Sequence, residues 1–331
     1  MENKRSPEFM EKVYRGCEAI IHNSALLQTH ESVLIVSDTK TYELGKILKE
    51  VALKTSSQVD HHVLPPFKMH GEAPPEEVAE KMLNSNVVLG ITSFSMAHSK
   101  ARLKATESGA KYISLPDYNL DLMTDRSLQA DFLGLIAISK KLADLLTEAE
   151  TVELKTAAGT EIKMRVNGRK GNPSPGCCFA KGIIASPPDA ETNIAIVENS
   201  TSGVLVVDGL NPCDELGLLK SNLSLTFKEG RVVQIEGEQA DTLNELFDHL
   251  RIPETRIGAE FGIGLNPEAE LCGLMLPDEG TLGTVHIGIG ANATIGGVNS
   301  VPFHLDHIIR DATILLDGKM IMGNGNFLID C

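Results

Sequence analysis

Hydrophobic positions along the first half of the chain fall into two alternating periods. Phe9, Val13, Cys17, Ile20 and Ile21 recur at helical spacing and predict an amphipathic helix over residues 7–28. Short apolar runs follow at Ser32–Val36, His61–Leu64, Asn86–Ile91 and Lys111–Leu115, each bounded by polar or turn residues, and these predict buried strands. Helical stretches lie between them. Ser37-Asp38-Thr39 is placed to cap a helix running to Glu50, and Pro74-Pro75 opens one from Glu76 to Leu83. Another spans about His98–Ser108, and a long helix closes the region at about Leu128–Thr147. Strands alternating with helices predict an α/β domain over residues 1–148, built on a doubly wound parallel sheet.

The pattern changes after Thr151. Val, Ile, Leu, Thr and Gly dominate, and turn signals are frequent. Glu153–Val166 reads as a hairpin around Ala158-Gly159, and Leu223–Ile235 as another turning at Glu229-Gly230. One helix, about Ala240–His249, interrupts the strands. Residues 151–331 therefore read as a β-rich, mostly antiparallel domain, joined to the first by a linker near 148–150. A length of 331 residues suits two cores.

Composition narrows the function classes. A net charge of −15 argues against nucleic acid or an anionic membrane as the partner, because phosphate binding needs clustered Lys and Arg. The chain has no Trp and only 4% aromatic residues, which leaves few platforms for stacking bases. The six cysteines (Cys17, Cys177, Cys178, Cys213, Cys272 and Cys331) contain no C-x-x-C pair and suit a reduced compartment. The opening MENKRSPEFMEK has no apolar segment of the signal-peptide kind, and no apolar run is long enough for a membrane span. A cytoplasmic protein acting on a small molecule is expected.

The candidate chemistry lies between Arg256 and Asp311. Glu260, Asp278, Glu279, His286, His304 and Asp306 fall there among glycines and short β-branched runs. Carboxylates and imidazoles are ligands for borderline divalent metals. If His304-Leu305-Asp306 is extended, its two polar side chains share one face and can meet one ion. Gly283–Gly290 alternates in the same way and puts His286 on a strand. Other signatures fail. Gly288-Ile-Gly290-Ala-Asn-Ala293 matches G-x-G-x-x-A, but the following Thr-Ile-Gly-Gly does not open a helix, as dinucleotide binding requires. No Walker loop or G-x-S-x-G elbow is present. Cys177-Cys178 reads as a pair of small buried residues rather than a nucleophile.

Several pieces together resemble the metallo-aminopeptidases of the thermophilic aminopeptidase T and S type. They are Gly258-Ala-Glu260-Phe-Gly-Ile-Gly-Leu-Asn-Pro267, Asp278-Glu279 with Thr284-Val-His286-Ile-Gly-Ile-Gly290, and Gly296-Gly-Val-Asn299 with His304-Leu-Asp306. Pro188-Asp-Ala-Glu191 and Glu198-Asn-Ser-Thr-Ser-Gly203 match more loosely. The resemblance implies an α/β domain, a β-rich metal domain and a homodimer. It also implies metal ligation by Glu191, Glu260, His286, His304 and Asp306, holding one or two of Zn, Co or Mn. Glu279 is then the candidate for general base or for a partner that orients a ligand, and the expected activity is hydrolysis of an amide or related C–N bond by metal-activated water.

The family's tyrosine, seven residues past the first histidine, falls here on Ala293. Every tyrosine of the chain (Tyr14, Tyr42, Tyr112 and Tyr118) lies in the first half. Losing one oxyanion donor costs on the order of 10²–10³ in rate, so weak or absent turnover of leucyl-peptides is expected. A shorter branch, the 2,5-dihydroxypyridine dioxygenases, is similar too. There one ferrous ion, held by two histidines and a carboxylate, opens a pyridine ring; His304 and Asp306 match its His-x-Asp, while its other histidine falls near Glu260. A ring-cleaving Fe(II) dioxygenase is the alternative, and a binding module without turnover is the third. The resemblance generates one test of assembly: sedimentation at micromolar concentration should show a homodimer or higher homo-oligomer, and a purely monomeric species would contradict that expectation.

Overall fold

The four apolar runs of the first half are parallel strands. In the protein's structure, a computed structural model describing residues 5–329 except 212, 214, 220 and 274, Val33–Asp38 is an interior strand of a five-stranded sheet, second from one edge. It pairs with Val59–Leu64 on one side and Val87–Ile91 on the other. Lys111–Ser114 and the short strand Ile184–Ala185 continue the sheet in parallel. Every residue of Val33–Asp38 and Val87–Ile91 is buried, as continuous apolar runs covered on both faces require.

Helix boundaries move where local hydrogen bonding competes. The first helix, Pro7–Ala19, passes into a π-helical turn at Ile20–Ser24 and stops short of residue 28. Asp38, expected as a helix cap, is instead the last residue of its strand. Its carboxylate accepts hydrogen bonds from the backbone of Lys40, Thr41 and Ser93, tying the ends of two neighbouring strands together. The helix accordingly starts later and runs over Tyr42–Leu53. Glu76–Leu83 forms as expected, and Lys100–Glu107 is capped by Ser99.

The chain divides into two compact units. One holds the chain up to Gly134 together with Gly176–Pro188; the other holds Leu135–Pro175 and the chain from Asp189. The expected single boundary near 148–150 is therefore corrected, because the chain passes between the units at 134–135, 175–176 and 188–189. The physical reason is the helix Leu135–Glu148. It packs on the strands Asn172–Ser174 and Glu191–Ala195, with the Ser139 hydroxyl 3.0 Å from that of Thr192.

The second unit contains two larger antiparallel sheets. The eight-stranded sheet includes both expected hairpins, Thr151–Lys155 with Glu161–Arg165 and Leu223–Lys228 with Arg231–Glu236. Glu229 and Gly230 both have positive φ, 48° and 80°, the backbone twist a two-residue hairpin turn needs. The five-stranded sheet runs in the order His304–Ile309, Val285–Gly290, Gly258–Gly264, Glu191–Ala195, Asn172–Ser174. One of its faces is apolar and buried: Ile194, Phe261, Ile263, Ile287, Ile289, Leu305 and Ile309. The architecture is thus α/β with a parallel sheet, followed by antiparallel β structure. Among the described residues no helix is long and apolar enough to cross a membrane.

A buried ion pair supports the first unit. Lys111 Nζ lies 2.7 Å from Glu31 Oε2 and 3.0 Å from the Leu26 carbonyl oxygen. Glu31→Ala would leave a buried ammonium with a single carbonyl, at a cost of about 3 kcal/mol. Urea unfolding should show that loss, and an unchanged midpoint would mean that the pair gives no net support.

Candidate metal centre

The face of the five-stranded sheet opposite the apolar one carries the polar residues. Strand alternation puts Glu191, Asn193, Glu260, His286, His304 and Asp306 on it. The register aligns Glu260 with Gly288 and Gly288 with Asp306 in one row across three strands. In the next row Asn193 faces Gly262, and Gly262 faces His286. Glycines stand between the ligating types for a steric reason. A Cβ on Gly262 would sit 2.0 Å from His286 Nε2, and one on Gly288 would sit 2.7 Å from His304 Cε1 and 2.8 Å from Glu260 Cβ. The imidazoles occupy the space that side chains would otherwise fill.

All five residues expected as ligands converge. Glu191 Oε2 lies 3.1 Å from His286 Nε2, and Glu260 Oε1 lies 3.9 Å from the same nitrogen. Glu260 Oε2 is 3.4 Å from His304 Nε2, and Asp306 Oδ1 is 3.3 Å from it. Two overlapping trios result, Glu191–Glu260–His286 and Glu260–His304–Asp306, each with its ligand atoms within 4.8 Å of one another. Glu260 belongs to both. The donor set fits a divalent cation. Glu191 Oε2 and Asp306 Oδ1 are buried with no hydrogen-bond partner, although imidazole nitrogens stand close by. Buried carboxylate oxygens so placed need a cation.

Neighbouring groups fix the orientations. The Asn193 amide donates to Glu191 Oε1 at 2.7 Å, which leaves Oε2 facing His286, and Asn172 in turn donates to Asn193 Oδ1 at 3.0 Å. His304 Nδ1 lies 2.8 Å from the Ala291 carbonyl oxygen; donating there frees Nε2 for a metal. Asn211 donates to the Asp306 carbonyl at 2.9 Å.

The electrostatics are those of crowded carboxylates. Burial, reinforced by Glu191, pushes the Asp189 carboxyl well above the usual range, and burial with Asp306 does the same for Glu279. Burial also raises Glu260, partly opposed by its hydrogen bond to His286. Burial disfavours charge on His304, yet Asp306 and Glu260 prevail and lift it to about 10. Burial likewise opposes charge on His286, where Glu191 prevails, whereas Asp306 is held low against burial by His304. Protons here supply the positive charge that a divalent ion supplies when bound, so metal binding must release them.

Not every candidate has the expected place. Asp278 is buried and accepts from the backbone of Cys272 at 2.7 Å and Gly273 at 2.8 Å, which makes it a latch for that loop. Glu279 ends the short helix Met275–Glu279 and adjoins Asp306, with its Oε1 buried and unpartnered. Asp189 and Asn193 were not anticipated; the signal for both is their spacing of two from Glu191. His307 faces the apolar side, stacked on Phe247, and burial lowers it to about 4, so it is neutral. Burial raises the thiols of Cys177 and Cys178 to about 11 and about 12, which agrees with inert core residues. After Gly290 the chain makes a 3-10 turn at Ala293–Ile295 rather than a helix, so no dinucleotide fingerprint forms. The glycine row gives a direct test: Gly288→Ala should displace His304 and lower metal affinity about 10–100-fold while the circular dichroism stays native. Unchanged affinity would mean that His304 is no ligand.

Comparisons with known proteins bear on the choice of chemistry. The family model NicX, 2,5-dihydroxypyridine 5,6-dioxygenase, matches residues 20–329. A 2,5-dihydroxypyridine 5,6-dioxygenase of Pseudomonas putida KT2440 is 26% identical over 140 residues, which cover 39% of this chain and 40% of that protein. That alignment spans well under two thirds of the relative. The structure of the 2,5-dihydroxypyridine dioxygenase from the same organism superposes with a TM-score of 0.83 at 18% identity, covering 96% of this chain and 97% of that one. Wild-type AmpT from Thermus thermophilus gives 0.69 at 15% identity, covering 97% of this chain and 100% of that one. Both likenesses are of fold. The expected hydrolase is corrected on this ground: the likeness to aminopeptidases is confined to structure, whereas the family match is to dioxygenases and runs nearly the full length. The chain belongs to the 2,5-dihydroxypyridine 5,6-dioxygenase family.

Proposed function

We propose that the protein is a metal-dependent dioxygenase that opens the ring of a small hydroxylated aromatic of the dihydroxypyridine kind. The observation that carries this reading is the family match over residues 20–329, which includes every strand of the candidate metal centre. His304, Asp306 and Glu260 would hold one ferrous ion, with His286 and Glu191 adjoining through Glu260. This set differs from the two histidines and one carboxylate implied by the resemblance, since Glu260 stands near the place of the second histidine. Imidazole suits iron, and the two carboxylates bring negative charge that a divalent cation neutralises. Bound ferrous iron supplies affinity for dioxygen and for a chelating hydroxyl group, the redox chemistry that no side chain of this centre provides.

The chain's own groups do the rest. The hydrogen bond from His304 Nδ1 to Ala291 fixes the imidazole, and the Asn193 contact fixes Glu191. Burial raises the carboxyls of Glu279 and Asp189 well above the usual carboxylate range. Glu279, beside Asp306, is placed to exchange a proton with a substrate hydroxyl at Oε1.

Protein purified without oxygen and loaded with ferrous ion should consume dioxygen only when 2,5-dihydroxypyridine or a related dihydroxylated ring is added. His304→Ala should abolish that uptake and strip the metal while the fold survives. A fully active, fully metallated His304→Ala protein would falsify the assignment.

A further inference from the structure

The segment 291–303 joins the strand of His286 to the strand of His304, and its first residue holds the His304 imidazole through the Ala291 carbonyl oxygen. The segment is itself held by an ion pair from elsewhere in the same unit. Arg169 Nη2 lies 2.7 Å from Glu198 Oε2, with the two side chains only 15% and 17% exposed. The other oxygen of Glu198 accepts from the Asn292 amide at 3.0 Å and from the Val298 backbone at 2.8 Å. Arg169 Nη1 donates to the Gly296 carbonyl at 2.8 Å. Asn292 also donates to the carbonyls of Ile196 and Ala259, each at 3.2 Å, and its Oδ1 accepts from Asn299 N at 2.9 Å.

The geometry points to Glu198, anchored by Arg169, as a positioning residue for His304, an inference that rests on His304 being a metal ligand. The link is the peptide unit between Ala291 and Asn292. One side of it presents the carbonyl that His304 meets, and the other side presents the N–H that bonds Asn299 O at 3.0 Å. A peptide unit is planar, so holding Asn292 fixes the direction of the Ala291 carbonyl. That carbonyl sets both the tautomer and the orientation of the ring, which outer partners of a metal-bound histidine commonly do. A half-buried carboxylate that accepts from an arginine, an amide and a backbone N–H is more than a loop closure alone requires.

The test is an anaerobic titration of the full-length protein with cobalt(II), following the ligand-field absorption of wild type, His304→Ala and Glu198→Ala. Wild type should bind with a spectrum that His304→Ala abolishes. Glu198→Ala should weaken binding about 10–100-fold and shift the bands, with native circular dichroism before metal is added. A spectrum that His304→Ala abolishes but Glu198→Ala leaves unchanged, at wild-type affinity, overturns this inference alone. A wild-type spectrum indifferent to His304→Ala removes the ligand reading and this inference with it. If Glu198→Ala does not fold, Arg169→Ala carries the test, since it leaves Glu198 its other donors. It should give a smaller shift of the same kind, and wild-type affinity and bands in that variant would overturn the inference.

Discussion

Burying several carboxylates on one sheet face is the constraint to which this unit answers. Glu191, Glu260 and Asp306 are each no more than 7% exposed, and Asp189 lies beside them at 5%. Such a cluster is stable only if protons or a cation compensate its charge. His286 and His304 do so by taking protons or by sharing a metal, and the unpartnered oxygens of Glu191 and Asp306 favour the metal.

The antiparallel sheet makes the cluster geometrically possible. Each strand gives alternate residues to the polar face and apolar residues to the core, so ligands cost the core nothing. The glycines at 262 and 288 clear the space that the imidazoles take. The inter-strand segment 291–303 and its clamp by Arg169 and Glu198 extend the same logic outward, from ligand to carbonyl to ion pair. Rigid β structure thus brings together residues as far apart in sequence as Glu191 and Asp306.

Much of this was legible in the chain. The period of two in Val285–Gly290 and His304–Ile309 placed His286 on a strand and His304 with Asp306 on one face, and Glu229-Gly230 announced its hairpin. Register across strands was not legible. It depends on a bulge between Gly258 and Glu260 and on pairing with a strand some seventy residues upstream. Local sequence also hid that Asp278 serves a loop and that Asp38 ties strands, because a carboxylate beside backbone N–H groups looks the same in either role. The helix Leu135–Glu148 reads as the end of an α/β pattern, yet its partners are strands that come later. Hydrolysis and oxygenation could not be separated by residue type, since both use carboxylates and imidazoles around a divalent ion; the family match favours oxygenation.

In the proposed centre Glu260, His304 and Asp306 share one divalent metal. Anomalous diffraction at the iron edge, from crystals grown with ferrous ion under anaerobic conditions, would locate it. The expected result is a peak within bonding distance of His304 Nε2 and of carboxylate oxygens from Glu260 and Asp306. An active, iron-loaded protein whose anomalous peak lies away from those three side chains would contradict it.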